Sequence, residues 1–358
     1  MNTITEQSTS AGSAAILAAY RGKVLWRVLI LVVLALLCCA ALVLDMVTGP
    51  SSLTAAQVLA GILNPDSVST AQRTIIWDVR LPYALMAMLV GAALSLAGAE
   101  MQAILNNPLA SPFTLGVSSA ASFGAALAIV LGLSLPFVPA EWMVSLNAFI
   151  FALGSVLLLQ LMTRLRSSSV ETMVLLGIAL VFVFNALVAF VQFASSQAAL
   201  QQLVFWSMGS LSRANWQNVG LLALVLLLVV PFSLLSATKL TALRLGEDRA
   251  RSFGIHVRRL RFLALLRVSL LAATSVAFVG TIGFIGLVGP HIARLMLGED
   301  HRFLLPGSIL TGALIMALAS AASKVLVPGV LLPVGIVTSI VGVPVFLLLI
   351  FCKPGRTS

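Results

Sequence analysis

The side chains of this sequence that could do chemistry are few and scattered. Glu100, between Ala99 and Met101, stands as the one carboxylate well inside an apolar run. A charge there costs about 3 kcal/mol on insertion scales, so a functional role has to be weighed: a carboxylate that binds and releases a coupling ion. The competing reading, preferred here, is that Glu100 snorkels or pairs with an arginine at the cytoplasmic surface. His291 sits beside Pro290 but has no Cys, Asp or second His at ligand spacing, so it reads as a hydrogen-bonding residue at a helix break. Cys38, Cys39 and Cys352 lie within or at the ends of apolar segments and form no metal or disulfide pattern. Met86, Met88 and Met101 follow helical spacing only in part and read as packing. There is no H-E-x-x-H, no grouped Ser/His/Asp set and no G-x-x-x-x-G-K-[ST] phosphate loop. The chain is therefore expected not to be an enzyme and to hold no metal or cofactor of its own.

The elements that carry these residues follow from composition. Of 358 residues, 60% are hydrophobic and 9% are charged, with a mean hydropathy of +1.11. A soluble domain of this size has no way to bury that much apolar surface, so the solvent is lipid. The net charge of +10 would point to nucleic acid in a soluble protein; here the basic residues lie between apolar runs and orient the chain. Apolar segments of spanning length are read at 25–47, 82–105, 114–133, 142–163, 172–194, 217–237, 263–282, 284–297, 304–323 and 333–352, ten crossings with the eighth short. Residues 1–24 are expected to be a cytoplasmic tail, disordered or interfacial. Residues 25–352 form a single transmembrane domain, and 353–358 are a second cytoplasmic tail. The first span ends at Asp45 and Thr48-Gly49-Pro50 with no small-residue cleavage site, and is read as retained. One set of loops holds Arg21, Lys23, Arg164, Arg166, Lys239, Arg244, Arg249, Arg251, Arg258, Arg259, Arg261, Arg302, Lys353 and Arg356, against Arg73, Arg80, Arg213 and Lys324 on the other side. That bias places both termini in the cytoplasm. The segment 48–79 is the largest external loop, with room for a short surface helix.

Two stretches stand out within this frame. Residues 283–294 are glycine-rich and interrupted by Pro290, so Gly286, Pro290 and His291 are expected to mark a broken helix, covered by other protein or lining a cavity. The loop 239–262 is the largest polar feature. In it Glu247 and Asp248 precede Arg249 and Arg251, between Leu245-Gly246 and Phe253-Gly254. That order suits a short helix with acids at its N-terminus, bases toward its C-terminus and Gly254 as its C-cap. A solvated basic loop is the commoner explanation of such a stretch; the ordering between two glycines favours a helix that docks into a partner. Asn106-Asn107-Pro108 reads as a turn.

Four blocks bring a family into view. They are Arg80-Leu81-Pro82 with Gly91, Gly98 to Gln102, Asn107 to Pro112 and Leu115 to Ser118; Trp206 to Ser210 with Trp216; Leu245-Gly246-Glu247 through Phe253-Gly254; and Gly283 to Arg294, Asp300 to Arg302, Pro333 to Gly335 and Gly342 to Phe346. In order and spacing, across most of the chain, they resemble the permease subunit of the FecCD-type family of ABC importers, which take up iron–siderophores, haem and cobalamin.

The resemblance implies an all-α integral membrane protein of about ten transmembrane helices, one short and broken, forming half of a dimeric ABC importer permease in the bacterial inner membrane. It implies two ATP-binding subunits that carry ATP and magnesium, a periplasmic substrate-binding protein, and a second permease copy or a related one. Leu245, Gly246, Glu247, Ala250, Phe253 and Gly254 match the segment that contacts the ATPase. Arg80 and Lys324 match basic contact points for the docked binding protein. Gly91, Gly98, Gln102, Gly116, Ser118 and Gly124 are expected to shape the translocation path or to pack helices closely. Four positions depart from the family pattern: Tyr83 replaces a second basic residue, Ser320 and Lys324 replace an Asp and an Arg, and Leu331 replaces an acid. The cargo expected is an iron–siderophore complex, with haem or cobalamin as the alternative within this architecture. An ion-coupled secondary transporter using Glu100 is the alternative outside it.

Overall fold

The computed structural model describes residues 3–49, 53–134, 136–165, 170–327 and 329–351, and every regular element among them is helical. The expected tail 353–358 lies outside the described residues. Helix α1, Thr3–Val47, is one element of 45 residues. The N-terminal stretch expected as a disordered or interfacial tail therefore continues the first span's helix from Thr3 on. At 1.5 Å per residue α1 is roughly 68 Å long, about twice the ~30 Å hydrocarbon layer.

The segment after α1 holds two short helices, α2 (Ala55–Leu63) and α3 (Thr70–Thr74). Each is opened by a capping box, Thr54 with Gln57 and Ser69 with Gln72. A π turn at Ile75–Arg80 leads into α4, Leu81–Ile104. Then follow α5 (Val117–Leu131), α6 (Ala140–Leu165), α7 (Val170–Phe193), α8 (Gln197–Ser207), α9 (Trp216–Leu235), α10 (Ala237–Leu243), α11 (Glu247–Ser252), α12 (Val257–Val279), α13 (Ile285–Leu297), α14 (His301–Val325) and α15 (Val334–Phe351). The ten expected crossings are α1, α4, α5, α6, α7, α9, α12, α13, α14 and α15. Seven are long and apolar enough to span alone, and α5, α13 and α15 are shorter. Helix α8 has no counterpart among the expected elements; Ser196 caps it, accepting from the Ala199 amide at 3.3 Å.

Helix α4 is the hub, buried over most of its length. Lipid is as apolar as a leucine side chain, so helices in a bilayer gain by close approach of small residues, not by hiding hydrophobic surface from water. Along α4, Gly91, Ser95 and Gly98 supply that approach. A methyl group on Gly91 would fall on the Gly312 carbonyl of α14, and one on Gly98 on the Gly286 carbonyl of α13. Ser95 lies against Gly289 of α13. Gly124 does the same for α5, against the backbone of Asn147 in α6. Helices α1 and α7, at the periphery, instead turn leucine, valine and phenylalanine outward.

The expected helix break needs correcting in position. Helix α13 runs unbroken through Gly286, Pro290 and His291. Pro290 removes one hydrogen bond, the one its amide would have given the Gly286 carbonyl, and that carbonyl is the one packed on Gly98. The interruption is upstream, at residues 280–284. Gly280 has φ +76° and Phe284 φ +67°, left-handed values that end α12 and start α13 in a new direction.

Candidate functional site

The interruption lines a cavity. Gly98 lies well past the middle of α4, so its partner Gly286 sets the start of α13 at membrane depth. There three non-helical turns satisfy one another: the Ser210 amide donates to Val279 O at 2.7 Å, Gly335 N to Gly209 O at 3.2 Å, and the Thr281 hydroxyl to Ser207 O. This is how irregular backbone survives away from water. Around it lies a cavity of about 480 Å³ walled by Ser118, Ser207, Met208, Thr281, Gly283 and Ser339 among others. The starts of α5, α13 and α15 and the end of α8 meet at this space. Its lining is hydroxyl and apolar. Of the residues expected to shape the path, Ser118 alone lines this cavity; Gly91, Gly98 and Gly124 pack helices, and Gly116, at φ +85°, forms the turn into α5 against α7.

At the basic end of the bundle the 239–262 loop resolves into the end of α10, the helix α11 and the start of α12. The acids of α11 stand in its first turn and Arg249 and Arg251 in its last. Gly254, at φ +76°, closes it one residue after the cap position. Ala250 is buried, whereas Leu245 and Phe253, flanking α11, are each more than half exposed. Glu247 pairs with Arg251 at 3.1 Å and with Arg261 of α12, and Arg261 also donates to the Ile104 carbonyl of α4 at 3.1 Å. On the other side of α11, Arg244 reaches Glu299 in the α13–α14 turn. The same Glu299 oxygen accepts from Arg294 at 3.1 Å, and Arg294 donates to Gln102 Oε1 at 2.8 Å. Thr241 of α10 accepts from the His301 amide at 3.0 Å. Asp300 caps α14; the hydrogen bonds from Arg302 hold its carboxyl below the usual carboxylate range. Partial burial lowers Arg244. The side chain of His291, within α13, makes no hydrogen bond to any described residue, contrary to its expected role.

The opposite end holds a cluster the sequence did not lead to. Asp45, near the end of α1, is fully buried. Its carboxylate accepts from the Ser320 hydroxyl at 2.8 Å and pairs with Lys324 Nζ at 2.8 Å. Lys324 also donates to the Asp45 carbonyl and lies 4.5 Å from the Tyr83 ring centre. Arg80 donates to Met46 O at 2.6 Å and Val47 O at 3.2 Å. Of the two cations expected to present charge to a docked partner, Arg80 is buried and Lys324 has its side chain almost wholly covered, and both turn onto the end of α1. With Tyr83 and exposed Leu331 they line a second cavity of about 320 Å³. Asp45, on another helix, supplies the carboxylate that Ser320 lacks.

Glu100 neither snorkels nor reaches a surface arginine. It is fully buried, and both its oxygens accept from Arg267 Nε at 3.0 Å. Arg267 belongs to α12 and is itself inside a span. A carboxylate held by a fixed guanidinium is poorly suited to load and unload an ion, which weakens the ion-coupled alternative. No group of three or more His, Cys, Asp or Glu residues is placed to hold a metal among the described residues. Asn106 (φ +47°) and Asn107, whose side chain accepts from the Leu109 amide, form the expected turn.

Comparison with known proteins places this geometry in context. Residues 30–352 match the FecCD transport family. The hemin transport system permease protein of Yersinia pestis is 38% identical over 276 residues, 77% of this chain and 83% of that one. The vitamin B12 import system permease protein of Vibrio vulnificus is 36% identical over 325 residues, 90% and 93% of the two chains. A solved ABC transporter assigned to the metal-chelate type, in an inward-facing conformation, superposes with a TM-score of 0.80 at 32% identity. That alignment covers 90% of this chain and 99% of the other.

Proposed function

Because this chain belongs to the FecCD transport family and is a permease of an ABC importer, we propose that it passes an iron–siderophore complex inward across a bacterial inner membrane. The basic end faces the cytoplasm, where two ATP-binding subunits carrying ATP and magnesium receive the exposed Leu245 and Phe253 flanking α11. A periplasmic binding protein delivers the cargo at the other face, and a second permease copy or a related chain completes the path. The observation that carries the cargo reading is the lining of the membrane-depth cavity. Ser118, Ser207, Thr281 and Ser339 offer single hydroxyls among apolar walls, which suits a metal already wrapped by its chelator better than a bare cation in need of carboxylate or thiolate ligands. Haemin and cobalamin, the cargoes named for two relatives, fit the same description and are the competitors.

The test is uptake into proteoliposomes holding the co-expressed complex, with the binding protein present and labelled ferric siderophore, haemin and cyanocobalamin compared. ATP-dependent uptake of the siderophore alone is the expected result. Uptake of haemin or cyanocobalamin instead would overturn the cargo and keep the importer; purification with no ATPase bound would overturn the importer.

A further inference from the structure

The basic end of α4 takes three arginines from two other helices within five residues. Glu100 accepts from Arg267, Gln102 from Arg294 and the Ile104 carbonyl from Arg261. Two of these arginines have a second partner that leads away from α4. Arg261 pairs with Glu247 at the start of α11. Arg294 shares a Glu299 oxygen with Arg244, three residues before that helix. Helix α11 is thus tied to α4 on both sides, through Glu247–Arg261 and through Arg244–Glu299–Arg294–Gln102.

We propose that these two ionic relays carry the movement of α11 into α4, and that Glu299 is the positioning residue on which the second depends. The proposal rests on the importer reading and names the internal route by which ATP hydrolysis on the partner would reach the cavity. Close packing makes the route effective: α4 meets α13 and α14 glycine to backbone, so its end cannot shift without carrying the start of α13, which borders the cavity. The Arg294–Gln102 joint has donors to spare. Arg294 Nη1 and Gln102 Nε2 are both buried with no hydrogen-bond partner among the described residues, an unfinished arrangement of the kind a two-state element needs if it is to re-pair in its other state. Glu299 is about half exposed and Arg244 about a third, so their pairing adds little to folding. Its loss is read in coupling.

The test uses the assembled complex with its ATPase in liposomes, Cys38, Cys39 and Cys352 replaced by alanine, and Ser339→Cys as a reporter in the cavity wall. Maleimide labelling of the reporter, with and without ATP, is followed beside phosphate release, so no cargo is needed. In Glu299→Gln, hydrolysis continues while the ATP-induced change in labelling rate shrinks about tenfold. Arg244→Gln does the same, and the double variant is no worse than either single one. An unchanged ATP response in Glu299→Gln, additive losses in the double variant, or loss of the ATPase subunits from Glu299→Gln would each overturn the relay. An ATP response absent from the Ser339→Cys parent itself would overturn the importer reading instead.

Discussion

Removing Arg267 strands the Glu100 carboxylate among α4, α9 and α12, and removing Glu100 strands the guanidinium. Breaking one side of such a pair costs about 3–5 kcal/mol, whereas replacing both partners by apolar residues is close to neutral. Arg267→Met should therefore lower the melting temperature in detergent sharply, and Glu100→Met with Arg267→Met should recover most of it. A double variant that melts as low as the single one would show that the pair is more than mutual compensation. The Asp45 cluster gives a second residue-scale expectation. Asp45→Asn leaves Lys324 buried beside Ser320 with no counter-charge, and restoring a carboxylate by Ser320→Asp in that background should rescue stability, since Ser320 already touches the same site. The measurement is the yield of monodisperse protein; no rescue would mean that the position of the charge on α1 matters in itself. Asp45 and Arg267 were both visible in the sequence as ionisable residues in or at the edge of apolar runs. Their pairing with Ser320 and Glu100 was not, because the pairs join residues 275 and 167 positions apart, and neither composition nor periodicity records which helices touch.

Helices in this bundle are positioned by missing side chains as much as by present ones. Gly98→Val would set a branched side chain on the Gly286 carbonyl, and Gly91→Val one on the Gly312 carbonyl. Overpacking of a tight contact costs about 1–3 kcal/mol or more, so both variants should purify as aggregates or not at all. Gly154 and Gly220, on α6 and α9, have open space at the same point, and valine there should leave the elution profile unchanged. Equal behaviour of the two sets would refute the packing argument. The sequence made the ten crossings legible through apolar length, and α11 through its acid-to-base order and flanking glycines. It misplaced the interruption of the eighth crossing, because Pro290 is the louder signal. In the folded chain the proline deletes one hydrogen bond whose acceptor α4 covers, whereas the change of direction comes from left-handed backbone at Gly280 and Phe284. Nothing about a phenylalanine announces that conformation. Helix α8 was missed for a different reason: at 11 residues it is too short to cross, and only the Ser196 cap marked it.

For the whole molecule the first question is which way it sits. The surplus of basic residues at the α11 end predicts that a membrane-impermeant thiol reagent added to intact spheroplasts, with native cysteines removed, labels Leu63→Cys and spares Ser252→Cys until the membrane is opened. The reverse pattern would invert every assignment of faces made above. The membrane class followed from composition and the ten crossings from apolar length, while the permease fold was implied by the family resemblance; the cavity followed from none of these, because its walls are hydroxyl and apolar residues drawn from four distant segments. The buried charge that Lys324 depends on also sits outside its own helix. Acid and base here are inherited from opposite ends of the chain, so α14 is not an exchangeable part. A chimera that takes α14 from a relative lacking a cation at this position would keep Asp45 and lose its counter-ion. One that takes α1 from a relative ending in a neutral residue would make the opposite error. The unit that can be moved between relatives without penalty is α1 and α14 together, two segments that recombination within a single gene would rarely carry as one.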